Sequence, residues 1–123
     1  PFQITIFALR PSRELAYRRV AERAEAQISQ GLVDEVRHLV CRYGENCRAL
    51  RAIAYQEFLP YLRGEISLNA AIERLKRNNR RLVKHQMTWL RQIPHIPVDV
   101  DENSTPDVLA DHIVLLLKKS GVV

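Results

Sequence analysis

Arg74–Arg91, RLKRNNRRLVKHQMTWLR, decides how the rest of this chain is read. It holds seven Arg or Lys and no Asp or Glu, and neither Pro nor Gly interrupts it before Pro94. With about 100° between successive helical residues, Arg77, Arg80, Arg81, Lys84 and Arg91 share one arc, while Ile72, Leu75, Leu82, Trp89, Leu90 and Ile93 share the opposite one. The expectation is a helix that packs its apolar stripe on the protein and turns a row of cations outward. Cations without acidic partners of their own draw anions from elsewhere, and a nucleic-acid backbone supplies them. Asn79 and Gln86, seven apart, fall within the apolar stripe. Either each is a buried amide bonded to something specific, or the stripe is shallow and exposed there.

Working outward, Gly64 breaks the chain and Ser67 caps this helix, which is expected over about residues 67–93 and is stopped by Pro94 and Pro97. Val98-Asp99-Val100 alternates as a short strand. Thr105-Pro106-Asp107 is a helix start with cap, proline and acid in order, giving a last helix over about 105–120 with Val108, Ile113, Leu116 and Leu117 inward. In the other direction, Phe2–Leu9 (FQITIFAL) reads as a strand buried on both faces. Its sheet partners are not evident in the sequence, and Pro1 opens directly onto it. The expectation is therefore a single fragment, residues 1–123, cut from a longer protein.

Ser12 caps a helix to about Gln30, with Tyr17, Val20, Ala24 and Ile28 inward and Arg23 at the stripe's edge. Gly31 ends it. Leu32–Tyr43 forms a second amphipathic helix, with Leu32, Val36, Leu39 and Val40 inward. A third helical segment is expected from about Leu50 to Leu62, with Pro60 as a kink. The fold class is thus mostly α with one or two short strands.

The chain is globular in composition, with 46% hydrophobic and 27% charged residues and a formal net charge of +5. That excess favours an anionic partner. Cys41 and Cys47 do not make a zinc pattern, and both are expected to stay reduced inside a cell. No run of about 18 apolar residues is present, so no membrane helix is expected. Phosphate-loop, dinucleotide, zinc-protease and nucleophile-elbow motifs are all absent, and the four His do not cluster. Read from its residues alone, the chain offers anion-binding arginines and a nucleic-acid surface but no complete active site. A non-catalytic helical RNA-binding module, or a structural domain docking on an acidic protein, are the other readings.

Three blocks of sequence carry a family resemblance. Asn79–Arg91 (NRRLVKHQMTWLR) resembles the T-R-R-Y-A-K-R-Q-x-T-W-F-R signature of tRNA dimethylallyltransferases, also called tRNA isopentenyltransferases. Ala52–Glu57 (AIAYQE), followed by Pro60–Gly64 (PYLRG), is similar to that family's A-I-G-Y-K-E…Y-L-x-G. Arg19–Arg23 and Gly31–Val36 resemble R-I-x-x-R…G-L-x-x-E-V. The blocks stand in the family's order. Asn79, Leu82-Val83, His85, Ala54 and Gln56 stand where the pattern has Thr, Tyr-Ala, Arg, Gly and Lys.

The resemblance implies the C-terminal part of an α/β, P-loop-kinase-like domain. It implies an enzyme that moves a dimethylallyl group from dimethylallyl diphosphate to N6 of the adenosine next to the tRNA anticodon. Arg23 matches the arginine that holds the donor's diphosphate. Asn46, Arg48 and Arg51 match one tRNA-contacting segment, and Asn78, Asn79, Arg80, Arg81, Lys84 and His85 a second. Tyr55 and Gln86 carry over as structural or channel candidates. Mg²⁺, the phosphate loop and the general-base Asp belong to the N-terminal half. The fragment alone is therefore expected to be inactive, and the whole enzyme cytoplasmic, binding the anticodon stem-loop; its oligomeric state is left open, with a monomer favoured.

Overall fold

The computed structural model describes residues 2–121. Its elements are β1 (Phe7–Pro11), α1 (Arg13–Ser29), α2 (Leu32–Tyr43), two 3₁₀ turns (Arg48–Arg51 and Gln56–Phe58), α3 (Leu59–Leu62), α4 (Leu68–Leu90), β2 (Ile96–Val100) and α5 (Pro106–Lys119). The fold is mostly helical with two short strands, as expected. The residues fall into two compact units, one of residues 17–84 and one of residues 1–16 with 85–123.

In the first unit the helices begin and end where local chemistry dictates. Gly31 takes φ 97° between α1 and α2, a left-handed conformation that a side chain resists. Asp34 and Glu35 in the first turn of α2 suit the helix dipole. Ser67 Oγ accepts from Ala70 N at 3.1 Å and starts α4. One core joins the elements: Ala24 of α1, Leu32 and Val36 of α2, Leu50 and Phe58 of the 3₁₀ turns, and Ala71 and Leu75 of α4. Arg63 is held outside this core by Glu45 and Glu65.

The expected helix from Leu50 to Leu62 is not formed. Two 3₁₀ turns and the short α3 stand in its place, because Ala54 adopts φ 83° and no helix passes through that angle. Pro60 sits in the first turn of α3, where its missing N–H costs nothing, rather than at a kink.

In the second unit β1 and β2 pair in parallel, Phe7 opposite Ile96 through Pro11 opposite Val100. Ala8, Val98 and Val100 are buried, and α5 packs beside β2. Arg10 Nη2 and Asp99 Oδ1, opposite each other in the register, meet at 2.9 Å. The strand expected over Phe2–Leu9, buried on both faces, is corrected. It starts at Phe7, and Phe2 and Ile4 are 96% and 80% exposed. A strand needs a neighbour to satisfy its peptide groups, and β2 reaches only this far. The neighbour itself, undetected in the sequence apart from Val98–Val100, begins at Ile96. Ser12 Oγ accepts from Leu15 N at 3.1 Å and opens α1. Thr105 Oγ1 accepts from Val108 N at 3.3 Å and caps α5 as expected. Val108, expected inward, is 55% exposed.

Candidate nucleic-acid interface

α4 carries the basic stretch, and its two faces behave differently along its length. Ala71 and Leu75 are fully buried. After Asn79, which is half-buried, the stripe opens: Leu82 is 42% and Trp89 68% exposed, and Gln86 is exposed. The expectation that the whole stripe packs on the protein therefore fails at Leu82, Gln86 and Trp89, while Leu90 and Ile93 are half-buried. Gln86 is exposed to water, and Asn79 makes no hydrogen bond among the described residues. Of the two readings of these amides, the shallow stripe is the one that holds.

The cations sort by partner. Lys76 turns inward: its side chain is 19% exposed and its Nζ meets Glu25 Oε1 on α1 at 2.5 Å. Among the described residues Arg77, Arg80, Arg81 and Arg91 form no ion pair. Arg81, Lys84 and His85 are exposed, and Arg80 is half-buried. Surface arginines with no carboxylate beside them are placed to bind phosphate oxygens.

Arg48 and Arg51 occupy the ends of the first 3₁₀ turn. Residues three apart eclipse in such a turn, so both point the same way. Leu50 between them is 1% exposed and anchors the turn in the core. Asn46, just before it, is exposed.

The 3₁₀ turn leads into a tightly held loop. Ala54 N donates to Glu57 Oε2 at 2.8 Å, and Asn78 Nδ2 on α4 donates to Glu57 Oε1 at 2.8 Å. Tyr55 Oη donates to Glu35 Oε1 on α2 at 2.8 Å. That bond, with some burial and the nearby negative charge, raises the Tyr55 pKa above its ordinary value of 10.0. Beside it lies an open cleft of about 440 Å³ lined by Gln27, Gln30, Leu32, Glu35, Ala54 and Tyr55. Asn78, read from sequence as one of the tRNA-contacting residues, thus has its amide committed to Glu57. Glu57 is not singled out by the sequence, because its two hydrogen-bond donors are set by the backbone at Ala54 and by a helix 21 residues away.

Arg23 lies on the exposed side of α1 next to the fully buried Ala24, with no ion pair among the described residues. It is more open to solvent than a residue tucked at the stripe's edge. No group of three His, Cys, Asp or Glu among the described residues is placed to hold a metal. Among the described residues no helix is long and apolar enough to cross a membrane.

The family model described as IPP transferase matches residues 1–93. The chain belongs to the IPP transferase family. Among its relatives, the tRNA dimethylallyltransferase of Moorella thermoacetica is 47% identical over 92 residues, covering 75% of this chain and 28% of that protein. The tRNA dimethylallyltransferase of Geobacillus thermodenitrificans is 38% identical over 109 residues, covering 89% of this chain and 34% of that protein. In structure, the chain is similar to the tRNA delta(2)-isopentenylpyrophosphate transferase of Staphylococcus epidermidis, with TM-score 0.86 and 29% identity over 97% of this chain and 39% of that one. It is also similar to the full-length tRNA isopentenylpyrophosphate transferase of Bacillus halodurans, with TM-score 0.80 and 32% identity over 99% and 42% of the two chains. These transferases have a P-loop-kinase-like fold, of which the elements described here form a part. The chain spans about a third of the length of the curated relatives it matches.

Proposed function

We propose that this chain is part of an enzyme that transfers a dimethylallyl group from dimethylallyl diphosphate to N6 of the adenosine next to the tRNA anticodon. Its share of the work is gripping tRNA and holding the donor's diphosphate. The observation that most supports this is Arg80 and Arg81 on α4, without carboxylate partners among the described residues, in a chain of the IPP transferase family. Arg48 and Arg51 on their 3₁₀ turn, with Asn46, form the second group of tRNA contacts. Lys84, His85 and Asn79 complete the first. The base must leave the anticodon-loop stack to react.

In the transfer, the N6 nitrogen forms a bond to C1 of the dimethylallyl group as the C1–O bond breaks. Diphosphate leaves with the electron pair, and the N6 proton passes to a base outside this chain. Arg23 binds the diphosphate and stabilises the negative charge that grows on it as it departs. Among the described residues no group of three His, Cys, Asp or Glu is placed to hold a metal, and the ligands of the whole enzyme's Mg²⁺ are assigned in this reading to its N-terminal half. The chain by itself is inactive, and the whole enzyme works in the cytoplasm.

Arg23→Ala in the full-length enzyme tests the assignment. Turnover falls by about a hundredfold or more, the scale of losing one charge-stabilising donor, while tRNA affinity stays near its native value. Unchanged turnover removes Arg23 from the diphosphate site.

A further inference from the structure

Glu57 is the charged side chain buried among the described residues, at 4% exposure. A buried carboxylate is costly unless its oxygens are hydrogen-bonded. Both oxygens are: Oε2 by the Ala54 N–H and Oε1 by the Asn78 amide, each at 2.8 Å. Both donors are neutral, and no cation pairs with it among the described residues. Hydrogen bonds of this kind are directional, so the carboxylate fixes a geometry as well as lowering an energy.

What it joins is specific. Ala54 lies in the loop that leaves the Arg48–Arg51 turn, whose C-cap is Ala52. Asn78 lies on α4 just before Arg80 and Arg81. One buried side chain therefore ties the segment bearing the first pair of arginines to the helix bearing the second.

We infer that Glu57 is a positioning residue for tRNA binding. It holds the Arg48/Arg51 turn and the Arg80/Arg81 face of α4 in fixed relation, so that both meet the phosphates of one RNA without ordering on contact. This rests on the tRNA-binding reading given above. It also assigns Asn78 to the joint rather than to the RNA.

The polarity of the joint allows a swap. Asn78→Asp sets a carboxylate against a carboxylate and breaks it. Adding Glu57→Gln restores both bonds with one of them reversed: the new amide oxygen accepts from Ala54 N–H, and the new amide nitrogen donates to the carboxylate on α4. The total charge of the joint is the same as in the native pair. In the full-length enzyme, N78D raises the Kd and KM for tRNA by about tenfold, with the KM for dimethylallyl diphosphate unmoved. The N78D/E57Q pair returns both to within about threefold of native. If N78D does not fold, Asn78→Ala removes the link without adding charge and gives the same split between the two substrates.

The inference is overturned if tRNA binding is unmoved while thermal stability falls, since the joint is then only structural. It is equally overturned if N78D weakens binding and the double variant does not recover, since Asn78 then touches the RNA itself. A native enzyme that binds tRNA but does not prenylate it contradicts the proposed reaction and leaves the joint standing. One that does not bind tRNA contradicts both.

Discussion

Lys76 on α4 reaches Glu25 on α1, Nζ to Oε1 at 2.5 Å, across 51 residues of sequence. Lys76 lies outside the arc shared by Arg77, Arg80, Arg81, Lys84 and Arg91, and its ammonium fastens two helices instead. Lys76→Ala is expected to lower stability by no more than about 1 kcal/mol, because Glu25 remains largely solvated. It is also expected to leave the salt dependence of tRNA binding as it is. Chemical denaturation and a salt titration of binding, run on the same variant, check both halves.

Ala54 holds φ 83° where the family pattern has Gly. The departure from the pattern therefore changes strain rather than backbone shape. Left-handed geometry costs a residue with a Cβ about 1–2 kcal/mol, and glycine in the unfolded chain returns about 0.4–1 kcal/mol of that. The strain term is the larger, so Ala54→Gly raises stability by roughly 0.5–1 kcal/mol, measured as a shift in denaturation midpoint.

Phe58 is fully buried at the centre of the core that joins α1, α2 and α4. Phe58→Ala leaves a cavity that the surrounding helices cannot close, at a cost of about 3–5 kcal/mol. Hydrogen exchange along α1 and α4 should accelerate together, since both pack on the same side chain cluster.

Tyr55 makes the pH response at the alkaline end. Its pKa is raised in the folded protein, first by its bond to Glu35, so the folded state holds the phenolic proton more tightly than the unfolded state does. The stability this adds is complete below the ordinary tyrosine value of 10.0 and is lost as pH rises through the higher folded value. Tyr55→Phe should flatten the fall in stability above that point. Denaturation midpoints measured on either side of it, for native protein and variant, give the comparison.

Much of the fold is legible in the sequence because its signals are local. Ser12, Ser67 and Thr105 each cap the helix they precede, and Gly31 divides α1 from α2. The segment after Cys47 is not legible, because nothing local marks an alanine that takes a left-handed angle. The periodicity of α4 shows which face is apolar but not how far it is covered, which is why Leu82 and Trp89 lie exposed. Arg80 and Arg81 are visible as cations in a stretch, Arg74–Arg91, that holds no Asp or Glu. Glu57 and the inward turn of Lys76 are not, because each depends on a partner brought close only by folding.

The central claim is that Arg80 and Arg81 on α4 hold tRNA phosphates. The direct measurement is the affinity of the full-length enzyme for an anticodon stem-loop over a range of salt, native against the R80A/R81A double variant. The slope of log affinity on log salt should shrink by about 1.5–2, the loss of two phosphate contacts, with the KM for dimethylallyl diphosphate unaltered. An unchanged slope would place the RNA elsewhere and contradict the account.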